Sequence, residues 1–95
     1  RNVAVLDETG WFFQKFKDQE NLHFYYVDKP VEQAKAASLL KGDLLLYIPR
    51  PELNVPVNAE LYSLKQSGLD LRAYVKTVMK RVVQNKKLLA QGIDP

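Results

Sequence analysis

The strongest pattern along the chain is Leu39-Leu40-Lys41-Gly42-Asp43 followed by Leu44-Leu45-Leu46-Tyr47-Ile48-Pro49. A helix tail stops at a glycine, an apolar run without alternation follows, and a proline ends it. Gly42 suits the left-handed position just beyond a helix C-terminus. A strand with no polar alternation must be covered on both faces, so Leu44 to Ile48 reads as a central strand between helical layers. That places the chain in the α/β class.

The other segments fill in a complete domain. Val3-Ala4-Val5-Leu6 is a short apolar run ending at the turn Asp7-Glu8-Thr9-Gly10. It predicts a buried strand and then a helix starting near Thr9, whose hydroxyl would cap the first free amides. Phe12, Phe13 and Phe16 would share the inward face of that helix, with Trp11 off it and partly exposed. Leu22 to Val27 alternates sides and is rich in aromatic residues, which predicts a strand nearer a sheet edge. Asp28 and Pro30 open a second helix, with proline in a first turn that needs no amide. Its inward face would be Val31, Ala34, Ala37, Ser38 and Leu40.

Pro49, Pro51 and Pro56 leave no room for an ordinary helical crossover. The weaker strand Ala59 to Lys65 is therefore placed antiparallel beside the central one, with a single helical turn around Leu53 as the alternative that would allow a parallel return. Ser67-Gly68-Leu69-Asp70 has the pattern of a capping box. The helix after it, Leu71 to about Gln91, carries Leu71, Val75, Val78, Val82 and Leu89 on one face. At about 100° per residue, Arg72, Lys76, Lys80 and Lys87 fall on roughly the opposite face. The predicted fold is an α/β three-layer sandwich: a mixed four-stranded sheet in the order second, first, third, fourth, with three helices.

Composition narrows the function classes. At 95 residues, 46% apolar and 26% charged, this is an ordinary globular domain rather than a disordered or fibrous chain. A net charge of +3 falls short of the basic density of a committed nucleic-acid binder. The absence of cysteine excludes disulfides, thiolate catalysis and zinc sites built on cysteine. No run approaches the 18 or so apolar residues of a membrane span, and the chain opens on Arg1 without a signal segment. Ending at Gly92-Ile93-Asp94-Pro95 directly after a long helix, it reads as a piece of a larger protein.

Candidate chemistry is sparse. Asp7 lies where a first strand meets the next element, the favoured ligand position in open α/β sheets. A phosphate-accepting or magnesium-binding site with Glu8 would need more carboxylates at neighbouring strand ends. The central strand ends in Tyr47-Ile48-Pro49 and offers none, leaving only Asp28, so turn and helix-end electrostatics are the simpler role. Gly10 stands alone, without a glycine-rich phosphate loop around it. His23 is the sole histidine and sits within a strand with no triad partner in view. The stripe of Arg72, Lys76, Lys80 and Lys87 lacks the aromatic interleaving that stacks bases. It reads first as the solvated side of an amphipathic helix, and secondly as a contact for an anionic membrane surface.

The succession "VAVLDETG", "NLHFYYVD", "LLKGDLLLYIP", "ELYSLKQ" and "NKKLLAQGID" resembles the extracytoplasmic domain of bacterial ABC transporter permeases of the type-two export class, including the sodium-efflux group. In that family a soluble domain lies between the first and second transmembrane helices. It typically opens with a strand ending in aspartate, and a later buried strand ends in "IP". Val3 to Asp7 and Leu44 to Pro49 match those positions. The resemblance implies a non-enzymatic domain on the periplasmic side of the inner membrane, tethered by flanking transmembrane helices absent from this chain. It also implies an ABC ATPase as partner, no cofactor and no nucleic acid. It transfers no site residue. Beside it stands a second reading, a stand-alone receiver-like or small-molecule-binding domain using Asp7.

Overall fold

The computed structural model describes residues 1–50, 58–64 and 69–92. In chain order the elements are β1 (Asn2–Asp7), β2 (His23–Tyr26), α1 (Val31–Lys41), β3 (Leu44–Ile48), β4 (Glu60–Tyr62) and α2 (Leu69–Ala90). The sheet order is β2-β1-β3-β4, as the sequence pattern predicts. β1 runs parallel to both neighbours, with Val3 opposite Phe24 on one side and Leu44 on the other. β4 is antiparallel to β3, pairing Leu45 with Tyr62 and Tyr47 with Glu60.

Each face of the sheet is closed by one helix. Val3, Val5, Leu44, Leu46 and Ile48 point to one side and meet Leu71, Val75, Val78 and Val82 of α2. Ala4, Leu6 and Leu45 point to the other side and meet Ala34 of α1. All of Val3, Val5, Leu44, Leu45, Leu46 and Ile48 are fully buried, which accounts for the lack of alternation in β1 and β3.

Small residues let α1 approach the sheet closely, with Ala34 and Ser38 buried at the contact. Pro30 sits just before the helix with φ −55° and ψ 145°, one position earlier than its expected first-turn place. Gly42 ends the helix at φ 78°. Its amide donates to the Leu39 carbonyl at 3.1 Å, while the Asp43 amide donates to Ser38 at 2.9 Å. Those carbonyls would otherwise lack partners.

Three expectations need correction. Among the described residues there are two helices, not three, because the segment after Thr9 does not coil. The Asp7 carboxylate accepts from the Thr9 amide at 2.9 Å, the Thr9 hydroxyl at 2.5 Å and the Phe12 amide at 2.8 Å. The Thr9 hydroxyl in turn accepts from the Trp11 amide at 2.9 Å. Side chains thus satisfy amides that a helix would have left to its caps, and Gly10 and Gln14 adopt left-handed φ of 75° and 59°. A helix cannot pass through such positions. The aromatic stripe splits accordingly: Phe12 and Phe16 are buried and stack at 6.2 Å, while Phe13 is 59% exposed.

The second correction is Leu40, which is 90% exposed rather than inward. It lies two residues past Ser38, about 200° around the helix. The third is Leu89, 58% exposed. The 22 residues of α2 extend about 33 Å, whereas the six residues of β1 cover about 20 Å. The last turns of the helix therefore run past the sheet. The proposed capping serine and glycine, residues 67 and 68, and Lys65 of the fourth strand lie outside the described residues.

The loop that replaces the first helix is anchored from two sides. The Phe16 amide donates to the Tyr26 hydroxyl at 3.2 Å, and that hydroxyl donates to the Phe12 carbonyl at 3.2 Å. Tyr74 of α2 accepts from the Lys17 amide at 2.8 Å. Phe16, Phe24 and Tyr74 then cluster with ring centroids 5.7 to 6.5 Å apart, within the range of favourable aromatic pairing.

This split between neighbouring aromatics is measurable. Phe12→Ala should cost about 3–5 kcal/mol of unfolding free energy, the usual range for a buried phenylalanine. Phe13→Ala should cost less than about 1 kcal/mol. Equal losses in urea denaturation would restore the helical reading.

Candidate functional site

Two concave regions hold the residues that the sequence brings forward. The first lies at the carboxyl ends of β1 and β2 and beside the end of β3, where open α/β sheets commonly take ligands. It is a cleft of about 860 Å³ whose lining includes Asp7, Glu8, Phe13, Asp28, Lys29 and Arg50. The fold thus brings together Asp7, Glu8 and Asp28.

The two strand-end carboxylates are already engaged with the chain itself. Asp7 holds the three donors that shape the loop. Glu8 spans the gap between β1 and β3: its amide donates to the Ile48 carbonyl at 2.9 Å. Its Oε1 accepts from the Tyr47 hydroxyl at 3.0 Å and from the Arg50 amide at 3.2 Å. Burial, with the Glu8 carboxylate alongside, raises the Tyr47 pKa above its ordinary value. Among the described residues no group of three histidine, cysteine, aspartate or glutamate side chains could hold a metal ion. What this geometry performs directly is loop closure.

The second region is a groove of about 650 Å³ between α2 and the β4 side of the sheet. Arg72, Lys76 and Lys80 line it, together with Leu61, Val75 and Met79. Three of the four cations in the predicted stripe, all exposed, therefore border a groove. Lys87 is exposed and is not among the residues lining the groove. Sequence reasoning missed this because β4 has only three residues, too few to fix which side of α2 it would flank. The available signal was the i, i+4, i+8 spacing of Arg72, Lys76 and Lys80, which sets them in one row.

His23 occupies an edge role. Its Nδ1 lies 2.8 Å from Asp18 Oδ2, and Asp18 Oδ1 accepts from the Phe24 amide at 2.9 Å. The Phe24 amide, and then His23, hold the Asp18 carboxyl below its usual pKa. The pair fastens the loop to the start of β2. Tyr25 makes a second tie that the sequence did not suggest, donating to Asp43 Oδ2 at 2.7 Å and so linking β2 to the end of α1.

No family model matches the chain, and no curated protein matches it. Among solved structures it is similar to the crystal structure of "a putative ABC transporter domain from Porphyromonas gingivalis W83". The two share 23% sequence identity with a TM-score of 0.73, over 94% of this chain and 70% of that one. At that identity the likeness establishes a common fold.

Two outcomes test this geometry. Asp7→Asn keeps the shape but leaves one carbonyl to serve three donors, and should lower stability by about 1–3 kcal/mol. Magnesium should leave the melting temperature of both proteins unchanged; a magnesium shift confined to the wild type would make Asp7 a ligand.

Tyr25 offers a pH test. Burial first, and the Asp43 carboxylate second, push its pKa from 10.0 up to about 12. A raised folded-state pKa means a stabilising contribution that is complete below the unfolded value and lost as pH rises through the folded one. Its window is pH 10 to about 12. In an alkaline titration followed by phenolate absorbance, Tyr25→Phe should remove the transition near pH 12 and flatten the loss of stability above pH 10. Loss of a transition near pH 10 would show that Tyr25 is neither desolvated nor paired with Asp43.

Proposed function

We propose that this chain is the extracytoplasmic domain of an ABC-type export permease, non-catalytic in itself, contacting substrate or a partner subunit during transport. The observation that carries the reading is the shared fold with the Porphyromonas gingivalis domain, over 94% of this chain at a TM-score of 0.73. The order and spacing of segments in the sequence also support it, since a strand ending in Asp7 and a later buried strand ending in Ile48-Pro49 resemble that family's domain. In the reading, transmembrane helices flank this domain and hold it on the periplasmic side of the inner membrane. ATP hydrolysis belongs to an ABC ATPase subunit or domain of the same transporter. Among the described residues no helix is long and apolar enough to cross a membrane, so the tether would come from chain outside this sequence.

The engagement of Asp7 and Glu8 with backbone and tyrosine donors favours this non-catalytic reading over a receiver-like one. Asp7 Oδ1 accepts from two donors and Oδ2 from a third, so the carboxylate is held by the loop and is not free to turn toward a phosphoryl donor.

The test is the coding region on either side. About 20 predominantly apolar residues, the length that spans a bilayer, should occur before and after the domain. Protease added to intact spheroplasts should then cleave within it. Polar flanks, or a domain protected from external protease, would overturn the proposal.

A further inference from the structure

The groove beside β4 combines an apolar wall with a cationic rim. Its walls include Leu61, Val75, Met79 and Val83, and its rim carries Arg72, Lys76 and Lys80. No carboxylate occurs among its described lining residues. Glu60, the nearest acid in β4, turns to the opposite side, where it accepts a hydrogen bond from Tyr62 at 2.5 Å; Tyr62 packs with the α1-side cluster. Lys76 and Lys80 make no ion pair among the described residues.

We infer that this groove binds a single-chain amphiphilic anion, with the acyl or alkyl stem against the half-buried Leu61 and Val83 and the acidic head between Lys76 and Lys80. The charge of the rim selects the sign. The apolar wall selects the stem, because exposed lysines alone hold a hydrated inorganic anion weakly. Each methylene the groove buries multiplies affinity by roughly fourfold. The volume of about 650 Å³ falls within the usual range for small-molecule sites, about 300–1,000 Å³. The assignment deepens the export reading, and rests on it only for where such a ligand would be met, at a membrane surface.

Binding is tested on the 95-residue chain by calorimetry and by amide chemical-shift titration, with monomeric dodecanoate as the probe. Acetate and a neutral dodecyl glycoside serve as controls. Dodecanoate should saturate, should bind at least tenfold more tightly than either control, and should shift amides of residues 59–62 and 72–83. Lys76→Ala with Lys80→Ala should weaken it roughly tenfold while leaving the thermal melt in place, since both side chains are exposed. Absent saturation, equal binding of the neutral glycoside, shifts mapping elsewhere, or an unaffected double variant would each overturn the proposal. So would binding to anionic phospholipid vesicles with no response to monomeric dodecanoate, which would assign the cations to a membrane surface instead. None of these outcomes bears on whether membrane spans flank the domain, so the two readings fail separately.

Discussion

The carboxylate of Asp7 is the constraint around which one layer of this domain is arranged. It stands at the end of a strand buried on both faces and gathers the Thr9 amide, the Thr9 hydroxyl and the Phe12 amide. Charge-assisted acceptance by one carboxylate is stronger than the neutral bonds that a short helix would have supplied. It spares the chain the cost of nucleating a helix within so few residues. The consequence is spatial: Phe12 drops directly into the core beside Val5 and Ile48, and Phe16 follows it. The loop then reaches β2 with Tyr26 and Tyr74 as its fasteners.

How much of this could be read in advance depended on where the determining interaction lay. The buried strands Val3 to Leu6 and Leu44 to Ile48 are legible because burial on both faces leaves an unbroken apolar run. Gly42 is legible because a left-handed helix end admits few other residues. The central places of β1 and β3 follow from those unbroken runs, and the antiparallel β4 from its short connection. The loop after Asp7 is not legible in the same way. Phe12, Phe13 and Phe16 have helical spacing, and the side-chain bonds that override it depend on the three-dimensional reach of one carboxylate. Leu89 fails for a different reason: periodicity gives a face, but only the sheet's extent tells where that face stops being covered. Leu40 falls on the far side of α1 from Ser38 by the helical period itself.

The candidate sites divide along the same line. Asp7 and Glu8 fall at the strand ends where the sequence places them, yet their oxygens serve the fold. The cations of α2 look ordinary in sequence, and acquire meaning only when β4 sets an apolar wall against Arg72, Lys76 and Lys80. Similarity of fold to a domain described as belonging to an ABC transporter gives the export reading its frame. The groove supplies a chemistry that can be pursued without it.

The most direct measurement of the central claim is backbone NMR of residues 8–16, combining Cα chemical shifts with amide hydrogen exchange. The account predicts no continuous helical shifts across this segment, and a Phe12 amide that exchanges far more slowly than that of Phe13. Helical shifts from Thr9 through Phe16, or Phe12 and Phe13 amides exchanging at similar rates, would contradict it.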